Sequence, residues 1–126
     1  MTRETFHLSL PSRAEHLGTA RSFAAAIARH YEVAGEAVED VKLAISEACV
    51  DALVAGTPIS LSARRDGDAI RFEIDAPETS EDSPERAELD ALGSPARIEL
   101  IASLFPGAEL VTADGRRALR FSLPLG

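Results

Sequence analysis

The chain has 126 residues, 45% of them hydrophobic and 27% charged, with a formal net charge of −8. That length is enough to bury one core without disulfides or metals, and no apolar run approaches the roughly 20 residues of a membrane span. The acidic balance excludes a surface built to neutralise nucleic-acid phosphates, which needs clustered Lys and Arg, and leaves a protein partner open.

The alternating "TFHLSL" predicts a first strand over residues 5–10, at a sheet edge because Pro11 follows. The stretch around it carries acid and does not read as a signal peptide. Ser12 has the chemistry of an N-cap, with Glu15 three residues on to complete a capping box. A helix is expected from there to about residue 31, with an alanine-rich stripe suited to close packing. "EVAGE" is the following turn. A second helix is expected from about Glu36 to Ala55, stopped by Gly56 with Pro58 beyond.

"ISLSARRDGDAIRFEIDA" (59–76) holds two alternating runs and predicts a hairpin with Asp66-Gly67 at its turn. Residues 77–95 hold three prolines and six acidic residues against one arginine, so a mobile acidic lid loop is expected over 77–93. "SPARIELIASLF" (94–105) predicts a short helix with Ser94 as N-cap and Pro95 at its first position. A last hairpin closes the chain, turning at Asp114-Gly115. No solenoid repeat and no dividing linker is present, so residues 1–126 are expected to form one domain.

This order predicts an α+β fold: a two-layer sandwich with a mixed, mostly antiparallel sheet of about five strands and three helices on one face.

Projected at about 100° per residue, the second helix separates its sides. Val38, Val41, Ile45, Ala48, Cys49 and Ala52 form a core stripe. The far side mixes Asp40, Glu47 and Asp51 with Leu43, Ala44, Val50 and Val54. Glu47 and Asp51 stand one turn apart, a like-charge spacing that costs a surface helix roughly 0.2–0.5 kcal/mol. Two readings fit: acids at the lip of an apolar cleft that holds a ligand or cation, or a plain exposed face with scattered apolar residues. Cys49, the lone cysteine, excludes an internal disulfide, suits a reducing cytoplasm, and reads as a buried inert thiol. His7, His16 and His30 are too dispersed to share a metal, and no GxSxG, P-loop or HExxH pattern occurs.

"EDVKLAISEACVDAL" (39–53) resembles the helix that carries the N-box of the anti-sigma-factor serine kinases. That family belongs to the GHKL, or histidine-kinase-like, ATPases with the Bergerat nucleotide fold. "LIASLF" followed by "AELVTADGRRALRFSLPL" is similar to the family's last helix and closing hairpin, and the element order matches over nearly the whole chain. The resemblance implies that Glu47 is the catalytic glutamate. Asp51 stands where the family has a Mg²⁺-binding asparagine. Asp75, in "FEIDAPET", is the candidate for the aspartate that binds the adenine amino group, or else an ordinary strand-end acid.

The nucleotide boxes depart from the family pattern. Pro77 and Thr79 occupy glycine positions of the first box, where proline cannot copy a glycine turn. Pro95 and Arg97 occupy glycine positions of the second. Pro95 has no N–H for a phosphate, while Arg97 either pairs with one or is a surface arginine. The six lid carboxylates oppose an ATP of about four negative charges. Asp51 is a good Mg²⁺ ligand in raw electrostatics, yet without metal it repels Glu47.

Two functions follow from the resemblance. One is an anti-sigma-factor-like regulatory protein of a partner-switching circuit, docking a sigma factor or an anti-sigma antagonist, with its ATP site partly or wholly decayed. The other is an active ATP-dependent serine/threonine kinase that phosphorylates an antagonist, with Glu47 as base and Asp51 on Mg²⁺. The missing glycines rank the first above the second. The acids could also hold a cation without nucleotide, and the resemblance further implies a homodimer.

Overall fold

The structure, a computed structural model, describes residues 4–33, 35–77 and 94–125. Its elements are strand β1 (Thr5–Leu10), a 3-10 turn (Ala14–His16), and helices α1 (Leu17–His30), α2 (Glu36–Ala48) and α3 (Val50–Ala55). Strands β2 (Ile59–Asp66) and β3 (Ala69–Asp75), helix α4 (Ser94–Leu104), and strands β4 (Glu109–Ala113) and β5 (Arg116–Pro124) complete it.

The five strands form one sheet in the order β1-β2-β3-β5-β4, so β1 lies at an edge as Pro11 implies. Every neighbouring pair is antiparallel, and the expected mixture of directions is absent among the described strands. The two hairpins reverse the chain, and the crossover through α4 returns it at the far edge, leaving β5 to fill the gap beside β3. Alternation then decides the faces. Ile59, Leu61 and Ala63 of β2, Ile70, Phe72 and Ile74 of β3, and Leu119, Phe121 and Leu123 of β5 are buried toward the helices. The intervening polar residues face outward.

The helices cover that one face. Ala20, Ala24 and Ala28 are fully buried, and their small side chains let α1 approach α2 closely. The predicted stripe of Val38, Val41, Ile45, Ala48, Cys49 and Ala52 is buried throughout. At the centre Phe121 stacks between Phe72 and Phe105, with ring centroids 5.1 and 4.7 Å away.

Three local expectations are corrected. Ser12 does not cap α1: its hydroxyl donates to the Ala52 carbonyl at 3.3 Å, and Glu15 pairs with Arg13 at 2.9 Å. The tertiary acceptor displaces the local one, and a 3-10 turn precedes the helix proper. The helix expected from Glu36 to Ala55 is interrupted at Cys49, where ψ flattens to −12°. Cys49 still donates to the Ile45 carbonyl and accepts from the Leu53 amide, so the chain keeps its helical course into α3. Asp66 pairs with Ala69, which makes Gly67-Asp68 the loop, with Gly67 at a φ of 63°.

The other turn stands as expected. Asp114 and Gly115 both take positive φ, 54° and 75°, as a two-residue hairpin with the sheet's twist requires. Gly56 ends α3 in the left-handed conformation. Of the lid expected over 77–93, residues 78–93, Thr79 included, lie outside the described residues, as do the side chains of Ser94 and Pro95. No helix of the described residues is long and apolar enough to cross a membrane.

Because Phe121 fills the space between two other rings, Phe121→Ala should destabilise the fold by about 3–5 kcal/mol. Urea denaturation should show this as a lower midpoint at unchanged slope.

Candidate functional site

Asp51 sits in the first turn of α3 with only 6% of its surface exposed. A carboxylate so placed must be paired, since burying an isolated charge is far more costly than any one contact repays. Arg97 of α4, 3% exposed, is its partner through Nη2 and Oδ1. Arg117, near the start of β5, brings a second guanidinium to the other carboxylate oxygen, with Nη2 3.8 Å from Oδ2. The same Arg117 holds the end of β3: its Nε donates to the Ala76 carbonyl at 2.6 Å and its Nη2 to the Pro77 carbonyl at 3.4 Å. One buried carboxylate therefore ties α3 to α4 and to the sheet.

The other residues singled out in the sequence are not gathered here. Glu47 is half-buried at the end of α2, and its side chain has no ion pair or hydrogen bond among the described residues. Asp40 is also half-buried, and Leu43 is exposed. Asp75 is on the opposite side of the sheet. Ile74 and Ala76 on either side of it are buried, so the pleat turns Asp75 outward, away from Asp51. Arg97 is neither a surface arginine nor a free phosphate ligand, because its guanidinium is already engaged by Asp51.

Arg117 was missed at the sequence level. The signal was present in "RRALRF": alternation puts Arg117 on the side of Leu119 and Phe121, and an inward arginine requires a carboxylate.

A cleft of about 750 Å³ lies at the end of the sheet, lined by residues including Ser9, Thr57, Ser60, Asp75, Arg116 and Arg117. Among the described residues, none of Glu47, Asp51 or Arg97 lines it. Nor does Asp51 suit a magnesium ion. Two guanidinia already neutralise its oxygens and would repel a cation, and no group of three or more metal-ligating side chains forms among the described residues. The donor set does not fit Mg²⁺, and no catalytic step is derived through it.

Cys49 lies between α2 and α3, fully buried, and desolvation pushes its thiol up to about 12. A thiol-specific reagent at pH 8 should leave it unmodified in the folded protein and modify it rapidly in denaturant. Arg97→Met leaves the Asp51 charge buried with only the more distant Arg117, and should cost roughly 3–5 kcal/mol. The double variant Asp51→Leu/Arg97→Met should recover much of that loss, and chemical denaturation of the four-member cycle measures the coupling.

The comparisons with known proteins agree with this architecture. No protein of curated function matches the sequence significantly. Among solved structures, the RsbU and RsbW domains of Rv1364c from Mycobacterium tuberculosis superpose with a TM-score of 0.69 at 16% identity. The match covers 96% of this chain and 32% of that one, so this chain spans about a third of its length. At that identity the likeness establishes the fold alone. A family model described as a histidine kinase-like ATPase domain matches residues 10–115, most of the chain. The chain belongs to the histidine kinase-like ATPase domain family.

Proposed function

We propose that the chain is an anti-sigma-factor-like regulatory protein of a partner-switching circuit that acts by binding a protein, either a sigma factor or an anti-sigma antagonist, with its ATP site decayed. The observation that carries this reading is the buried ion cluster of Asp51, Arg97 and Arg117. By resemblance Asp51 stands at the magnesium-binding position and Arg97 at a glycine that would approach the phosphates. The arginine supplies internally the positive charge that a bound metal would otherwise bring. The site is thereby converted from a place that binds a charged ligand into a strut that fixes α3, α4 and β5. The fold likeness to a structure that includes an RsbW domain supports the regulatory family, as does the N-box resemblance of residues 39–53.

One observation favours the kinase reading as second choice. The Glu47 side chain has no partner among the described residues and is half-buried, which leaves its carboxylate able to accept a proton from a partner hydroxyl. Against it stands the donor set at Asp51.

Calorimetric titration of the purified chain with Mg-ATP separates the two. The decayed site predicts no saturable heat up to millimolar nucleotide, and no thermal stabilisation. Asp51→Asn, which restores the family's asparagine but leaves both arginines, should not create binding. Micromolar affinity in the wild type, or phosphate transfer to a partner that Glu47→Ala abolishes, would replace the binding-module reading with the kinase.

A further inference from the structure

The outward face of the sheet carries a second, smaller cleft of about 260 Å³, lined by Thr5, His7, Ser62, Arg64, Arg71 and Glu73. It is on the side away from Asp51, because Ala63 and Phe72, the neighbours of Arg64 and Arg71, are the ones buried against the helices. Arg64 and Arg71 are paired directly across β2 and β3, and Thr5 of β1 pairs with Arg64 on its other side. Like charges in directly opposite positions disfavour the sheet, so this arrangement needs negative charge nearby.

The protein's own carboxylates meet that need in part. Asp66 takes one edge of Arg71, with Oδ2 2.6 Å from Nη2. Glu73 is drawn the other way, to Arg120 on β5, where Nε lies 3.1 Å from its Oε1. What remains is a donor set. The Nε of Arg71 is buried without a hydrogen-bond partner, and Arg64 makes no ion pair among the described residues. A buried donor left unmade is costly, which marks the place where an acceptor belongs. The hydroxyls of Thr5 and Ser62 and the His7 ring complete the walls.

We propose that this cleft is an oxyanion site that binds a phosphate group between the guanidinia of Arg64 and Arg71, with Ser62 and Thr5 as hydroxyl donors. Planar guanidinia present paired N–H donors suited to phosphate oxygens. The cleft is smaller than the roughly 300 Å³ at which pockets for drug-sized ligands begin, so it takes the phosphate group and not a nucleotide. The phosphate arrives either free in solution or as an ester on a side chain. The net charge of −8 opposes both at long range, so recognition is local and affinity modest.

The test is an NMR titration of the ¹⁵N-labelled full chain with inorganic phosphate, and separately with O-phosphoserine, at constant ionic strength set with chloride. The expected result is a saturating shift of the amides of Thr5, His7, Ser62, Arg64 and Arg71. Arg64→Gln should weaken it about tenfold, the loss of one charge-assisted bond. Arg71→Lys, which keeps the charge but removes the guanidinium fork, should weaken it too. Arg116→Gln, at the other end of the same face, should leave it unchanged. Tighter binding of O-phosphoserine identifies an esterified phosphate as the ligand, and equal binding identifies the free ion. Shifts that stay linear into tens of millimolar, or that persist undiminished in Arg64→Gln, would overturn the site.

Discussion

The Asp51 carboxylate has been taken out of water, and everything around it follows from the requirement that it be neutralised there. Its two oxygens are met by guanidinia from α4 and from β5, and the second of these also holds the carbonyls at the end of β3. Breaking such a cluster by removing one member leaves an uncompensated charge, whereas replacing all of it by apolar groups need not destabilise the fold. The cluster is better understood as a device that fixes one arrangement of three elements than as a large source of stability.

That device occupies the place where the histidine kinase-like ATPase family, by resemblance, would present a metal ligand and close-packed glycines. A glycine position admits phosphate because it has no side chain. An arginine there brings both bulk and a fixed positive charge, and an aspartate opposite it absorbs that charge. The aspartate and the arginine compensate each other's charge within the fold. This is the physical content of the proposal that the chain works by binding a partner.

The two faces of the sheet do different things. The inner face is mostly apolar, with Arg117 and Arg65 toward its ends, and its centre is filled by the Phe72, Phe121 and Phe105 stack. The outer face is polar, with an ion-pair ladder of Glu73, Arg120 and Glu109 running across three strands beside the arginine pair. Asp75 belongs to this outer face. A one-residue step along a strand moves a side chain through the sheet, which is why Asp75 and its buried neighbours Ile74 and Ala76 face opposite ways.

The sequence by itself determined the elements, because the signals that make them are local. Alternation marked the strands, 3.6-residue periodicity marked the core stripe of α2, and glycine punctuated Gly56 and the Asp114-Gly115 turn. It also determined that the central helix carried a charge in need of explanation. Only the tertiary structure decided how that charge is answered. Arg97 and Arg117 lie 46 and 66 positions beyond Asp51, and no local pattern measures the distance between residues brought together by a crossover. Ser12 was misread as a cap for the same reason: its acceptor, the Ala52 carbonyl, comes from the far end of the helical layer. Hydrogen bonds and ion pairs go to whichever partner the packed core delivers, and that is a property of the assembled layers.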